Sequence, residues 1–167
     1  VRGVKETGVY LAPARRDGSK RLTNPGDWSP SLDFAFGLAN DFPTGVKLGP
    51  GIDRDLIPGD AEAQWVSVDR EVVELGLWFG AVARPGIGRA ALVIGPHGTA
   101  EMTAESDSED APVGPLGEFL FEPDGGVIRA RLIGDLAREL NGRMLDPSIA
   151  YVTSDSAAAS PFAAGFR

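Results

Sequence analysis

Short apolar runs alternate with glycine, proline and polar turns along this chain, and the spacing inside each run sets the element it predicts. Val9-Tyr10-Leu11 stops at Ala12-Pro13 and reads as a strand buried on both faces, the kind found in parallel sheets. Residues 15–28 are polar and hold the turn signals Asp17-Gly18 and Asn24-Pro25-Gly26, which predicts a loop. Leu32, Ala35, Phe36 and Ala39 then recur at helical spacing. They predict a helix over 30–41, with Ser29 as its cap and Pro30 at the first position, where a missing N–H costs nothing. Phe42-Pro43 and Gly45 end it.

Val46-Lys47-Leu48 predicts a second strand, closed by Gly49-Pro50-Gly51, and Ala63 to Val68 a third. The apolar stretch 70–83 fits either a helix starting after Asp69 or another strand. Ala90–Ile94 reads as a strand bounded by glycine and proline on both sides, and residues from about 101 to 117 as an acidic, flexible loop. Glu118–Phe121 is a further strand or extended entry. Asp124 can cap a helix over 126–140, whose Ile128, Leu132, Leu136 and Leu140 recur every four residues before the stop at Asn141-Gly142. A strand near 149–153 precedes an alanine-rich tail expected to fray. Alternation of this kind predicts an α/β fold, a mostly parallel sheet with flanking helices.

Charge changes the picture locally. The chain carries a net −8 over 167 residues, which argues against broad, non-specific binding to phosphates. Yet Arg2, Lys5, Arg15, Arg16, Lys20 and Arg21 face only Glu6 and Asp17 within the first 21 residues. Residues 101–124 hold eight acidic side chains and no Lys or Arg. With no cysteine, disulfides and thiolate chemistry are excluded, which fits a reducing, cytoplasmic setting. His97 is the only histidine, so neither a zinc site nor a Ser-His-Asp triad is expected. Apolar runs too short for a membrane span, and no apolar leader, predict a protein with no membrane partner.

Ligands of open α/β sheets bind at the carboxyl ends of the strands. The first such end is Ala12-Pro13-Ala14-Arg15-Arg16, which reads either as a solvated arginine turn or as a basic site. Lys47 and Gly49 belong to the next strand end and would form a neighbouring wall. The acidic groups Asp53, Asp55, Glu122 and Asp124 read best as turn or cap residues, and Trp65, Trp78 and Phe79 as core.

Tyr10-Leu11-Ala12-Pro13-Ala14-Arg15-Arg16-Asp17 resembles the "DPARR" motif that follows the fourth strand in a family of class I S-adenosylmethionine-dependent methyltransferases with a C-terminal THUMP-like domain. Other stretches look similar in family order: Ser29-Pro30 with its helix, Val46–Gly51, Glu62–Ser67, Leu77–Gly80, Phe121–Asp124 and Leu145–Asp155. The resemblance implies that residues 1–96 are the second half of a methyltransferase-like domain. Residues 97–117 would be the acidic loop, and 118–167 a strand-helix-strand extension with its tail. It implies S-adenosylmethionine as cofactor, RNA as substrate, and Ala12, Pro13, Ala14 and Arg15 as the target-side loop, with Arg15, Arg16, Lys47 and Gly49 contacting substrate. Two departures qualify it. Ala12 stands where the family has Asp, so that side chain can accept no hydrogen bond. No strand, G-x-G-x-G turn and helix occur in order, so no cofactor-binding residue is assigned, and the THUMP-like region would lie beyond Arg167. The expectation is therefore a methyltransferase portion inactive alone, its first strand Val9–Leu11 covered by a second copy or by an N-terminal half. The alternatives are a non-catalytic scaffold or interaction module that retains the fold, and an unrelated α/β binding module.

Overall fold

The computed structural model describes residues 8–167; Arg2, Lys5 and Glu6 of the basic segment lie outside the described residues. The chain builds two sheets around a shared core. The first contains β1 (Val9–Leu11), β4 (Thr44–Leu48), β5 (Glu62–Val68), β6 (Glu71–Phe79), β7 (Arg89–Gly95) and β8 (Gly98–Ala104), and β2 (Arg16–Asp17) with β3 (Lys20–Arg21) forms a separate small hairpin. The second sheet contains β9 (Phe119–Pro123), β10 (Arg143–Asp146), β11 (Ile149–Ser154) and β12 (Ala163–Phe166). Three α-helices accompany them: α1 (Leu32–Ala39), α2 (Gly125–Arg129) and α3 (Ile133–Glu139).

The first sheet has the order β1-β4-β6-β5-β7-β8. β1 pairs with β4, and β5 with β7, in parallel, while β6 lies antiparallel between β4 and β5. β8 closes the far edge antiparallel to β7. Four strands, β1, β4, β5 and β7, thus point the same way, and the α/β class read from the sequence is what the chain forms. The carboxyl ends of these four strands share one rim, where ligands of such sheets bind. Gly45 is required on β4, because a Cβ there would sit 2.8 Å from the Trp78 ring and 2.9 Å from the Tyr10 ring.

Several local expectations are corrected. The stretch 70–83 resolves largely into strand β6, because Leu75, Leu77 and Phe79 bury one face against the core at the period of two. The acidic loop expected from 101 begins only after Ala104, since Gly98–Ala104 pairs along β7 and buries Met102. The helix expected from Ser29 starts two residues later: the Ser31 hydroxyl, not Ser29, accepts from the Phe34 N–H at 3.2 Å. The single helix expected over 126–140 is two, because Arg131 takes a left-handed φ of 59° between α2 and α3. Within 15–28, a two-residue hairpin replaces part of the loop. β10 was not anticipated, and the tail expected to fray ends in β12, paired with β9.

The core is continuous between the sheets. Val46, Trp65, Leu75 and Leu77 belong to one cluster with Phe121, Val127, Leu132, Leu136, Leu140 and Val152. α2 packs on β5, β6 and β7. Its cap, Asp124, is buried and accepts from the Gly126 N–H at 2.7 Å and from the Ser67 hydroxyl on β5 at 2.5 Å. Among the described residues its other carboxylate oxygen has no partner, which offsets part of what the cap contributes.

Candidate functional site: an arginine-lined rim

The chain leaves β1 at Ala12, turns through the buried Pro13, and is pinned where the Ala14 N–H donates to the Ser29 carbonyl at 2.8 Å and receives the Ser29 N–H in return at 3.1 Å. The Leu22 N–H donates to the Arg15 carbonyl at 2.8 Å, which extends the β2–β3 hairpin by one step. The Leu22 carbonyl accepts the Trp28 indole N–H at 3.1 Å. These bonds hold the arginine segment over the end of β4. There Arg15 lies flat on Gly49: a Cβ on Gly49 would fall inside the Arg15 guanidinium. The absent side chain is therefore what lets Arg15 approach.

Arg15, Arg16 and Arg21 line a hollow of about 250 Å³ with Pro50 and Gly51. Arg15, Arg21 and Gly51 also border a cleft of about 440 Å³ lined by Leu22, Trp28, Ile52, Leu56 and Asp53 as well. Among the described residues, no carboxylate lies within 4 Å of these three guanidinium groups. Arg16 stands directly opposite Arg21 in the hairpin, an arrangement that costs energy by repulsion.

The structure thus joins Arg15, Arg16 and Gly49 and leaves other sequence candidates apart. Ala12 is exposed, and neither Ala12, Pro13 nor Ala14 borders the two hollows. Lys47 projects from β4 onto Glu74 of β6 at 2.8 Å, and this bond holds its ammonium pKa above the ordinary value. Arg21 was missed as a site residue, and only its place opposite Arg16 across Asp17-Gly18 could have signalled it.

A clamp on the Gly49–Gly51 turn was also missed. The Pro50 carbonyl accepts from the Trp65 indole N–H at 3.3 Å and from Arg129 of α2 at 3.2 Å. Arg54 stacks on Trp65 at 5.3 Å, donates to the Arg129 carbonyl and pairs with Asp107 at 2.7 Å. Burial, with repulsion from Arg89, lowers the Arg54 pKa despite Asp107. Asp107 itself is raised by burial, but the hydrogen bond from Arg89 and the charge of Arg54 leave it below its ordinary value. These contacts join residues up to 79 positions apart, which no local pattern reveals.

The other sequence candidates serve structure. Asp53 caps a 3-10 turn by accepting from the Asp55 N–H at 3.1 Å, and Glu122 pairs with Arg70 at 3.3 Å. Trp65 and Phe79 are core side chains. A larger hollow, about 600 Å³, lies beside Asp107–Asp110 and Ile149, but Asp107 is already held by Arg54 and Arg89.

Neither glycine pair offers an open cradle for an adenosyl cofactor. Gly49 is covered by Arg15, and a Cβ on Gly88 would meet the Glu105 carbonyl. The segment after Gly49–Gly51 enters a short 3-10 turn at Arg54–Leu56 rather than the long helix whose N-terminus holds a phosphate or ribose. Neither of these glycine turns fits the cofactor.

With this geometry in view, the similarities to known proteins are informative. No protein-family profile matches the chain. Two uncharacterized S-adenosylmethionine-dependent methyltransferases of Mycobacterium tuberculosis, from strains CDC 1551 / Oshkosh and H37Rv, are each 29% identical to it over 154 residues, covering 90% of this chain and 42% of the relative. The crystal structure of a candidate methyltransferase from Porphyromonas gingivalis W83 superposes with a TM-score of 0.65 at 22% identity, over 93% of this chain and 41% of that one. The fold is therefore one that occurs in that structure, and the chain spans less than half the length of the relatives it matches. Among the described residues no helix is long and apolar enough to cross a membrane.

Proposed function

We propose that this chain supplies the target-side wall of an S-adenosylmethionine-dependent methyltransferase acting on RNA, with the cofactor held by residues outside it. The observation that carries the reading is the set of guanidinium groups at the carboxyl rim. Arg15 is seated on Gly49, and Arg16 and Arg21 stand beside it with no carboxylate partner among the described residues. The resemblance of this segment to the methyltransferase motif and the names of the mycobacterial relatives support the cofactor class. The transferred methyl would come from the cofactor, so the protein needs no nucleophile. What these residues do is orient: Arg15 and Arg16 hold phosphates, and the turn through Pro13 and Ala14 fixes where they stand. Lys47 is engaged with Glu74 and is not counted among the phosphate-holding groups.

The chain alone is expected to be inactive. Calorimetric titration with S-adenosylmethionine tests this: no binding in the micromolar range is expected, and tight binding would overturn the reading. Mixing the chain with a polypeptide that carries a strand and a G-x-G-x-G turn should restore binding and methyl transfer to RNA. β1 is an edge strand of its sheet, and we propose that a second copy or that cofactor-bearing half covers Val9–Leu11. Light scattering of a stable monomer that does not associate with the other half would count against this.

The second reading, a scaffold that keeps the fold without catalysis, is favoured by Ala12, which offers no side-chain acceptor at the strand end. It predicts no methyl transfer even from the completed assembly.

A further inference from the structure

The arginine rim continues into a cleft that a phosphate alone would not use. Leu22, Trp28, Ile52 and the partly exposed Leu56 line it beside Arg15 and Arg21, and Asp53 is also part of its lining. Trp28 is locked there by its indole bond to the Leu22 carbonyl, so the apolar surface is preformed. Its volume, about 440 Å³, falls in the range of small-ligand sites. Two arginines and a group of apolar side chains lining one cleft match the two halves of a nucleotide, a charged phosphate and a flat ring.

Among the described residues, Arg15, Arg16, Arg21, Arg129 and Arg131 have no carboxylate partner, and of these Arg129 donates instead to the Pro50 carbonyl. Arg54, Arg70, Arg84, Arg89, Arg138, Arg143 and Arg167 each pair with a carboxylate. Arg16 and Arg21 instead face each other across a two-residue hairpin. A phosphate between or beside them would remove the repulsion, so the pair is arranged for an anion.

We infer that this cleft holds one nucleotide of a single-stranded RNA, its base against Leu22, Trp28, Ile52 and Leu56 and its phosphates on Arg15, Arg16 and Arg21. This rests on the methyltransferase reading for the choice of RNA, and it adds Arg21 and Leu56 as binding residues. Single-stranded RNA is the expected ligand, because a stacked and paired base is not free to enter a cleft. The base held here is a neighbour that sets the strand's register; no methyl acceptor is assigned to it.

The test is fluorescence anisotropy on the 167-residue chain with a labelled single-stranded oligoribonucleotide, the same strand annealed to its complement, and uridine monophosphate as competitor. The single strand should bind most tightly, and the mononucleotide should compete only weakly. Arg21→Gln should weaken single-strand binding about tenfold at low salt and reduce the salt slope by about 0.7, one phosphate contact. Leu56→Asn should weaken it about fivefold with the slope unchanged, because it removes apolar contact rather than charge. Both side chains are exposed, and thermal melting confirms that the variants fold; Arg16→Gln serves as the second charge variant with the same expected outcome. Duplex binding as tight as single-strand binding, competition by the mononucleotide at equal affinity, or variants that bind like the parent would each overturn the inference. Methyl transfer by the completed assembly is a separate readout. If the variants lose RNA affinity while no methylation is ever seen, the cleft stands and the enzymatic reading falls. If methylation occurs while they bind RNA normally, the cleft alone falls.

Discussion

Arginines at the two ends of the first sheet meet opposite fates. At the amino end of β5, Arg84 donates to Glu62 at 2.5 and 2.8 Å and to Glu101 at 2.6 and 2.9 Å, and Gln64 donates to Glu101 at 2.6 Å. Glu62 is 2% exposed, and its remaining oxygen accepts the Arg84 backbone N–H at 2.7 Å. The two carboxylates hold the guanidinium pKa above its ordinary value. At the carboxyl end, Arg15, Arg16 and Arg21 have no such partners among the described residues and line open hollows. The same residue type is therefore a closed structural clasp at one end and an unsatisfied charge at the other. Saturation by the chain's own groups, rather than residue identity or sheer charge, separates scaffold from candidate site.

Breaking the clasp should have the largest effect. Arg84→Ala leaves the buried Glu62 carboxylate without its counter-charge and should destabilise the chain by about 3 kcal/mol, at the low end of the range because Arg84 is itself partly exposed. Denaturant unfolding measures this, and a change within error would mean that the clasp contributes nothing. Next comes acid. Glu101 is held below its ordinary carboxylate value chiefly by the Arg84 hydrogen bond, against burial, with help from Gln64. A depressed folded value means that this contribution is complete above the unfolded value of about 4.5 and is lost as pH falls through the folded one. Melting temperature should drop more steeply below that pH in the parent than in the Arg84→Ala variant. Parallel acid profiles would assign the effect to other carboxylates.

The open end should respond differently. Gly49→Ala displaces a flexible arginine tip rather than backbone, so melting should change little while RNA affinity falls severalfold, read by anisotropy. Unchanged affinity would show that Arg15 need not rest on Gly49. The smallest effect belongs to Lys47→Ala: its pair with Glu74 is solvent-exposed, and no measurable shift in melting is expected.

How much of this was legible in the sequence depends on range. β1, β4 and β7 were visible as short apolar runs, and Asp124 and Asn141 as cap and stop, because these are decided by neighbours a few residues away. The break at Arg131 was not visible: Ile128, Leu132, Leu136 and Leu140 keep an unbroken spacing of four across it, and the left-handed residue carries no Gly or Asn signal. β12 was hidden because its pairing with β9 is set by residues some forty positions upstream in a tail of small side chains. In the site, the basic turn at Arg15-Arg16 could be read directly. Its seat on Gly49 could not, since it depends on β1 and β4 lying side by side in parallel.

The doubly held carbonyl of Pro50 has a mechanical consequence. One donor, Trp65, rises from the middle of the first sheet, and the other, Arg129, arrives on a helix that leads away from β9 of the second. Because α2 itself packs on β5, β6 and β7, both donors fix the peptide next to Gly49 to the same layer. The turn under the arginine rim is thereby anchored like a keel, so the seat of Arg15 is set by the core rather than by the loop around it.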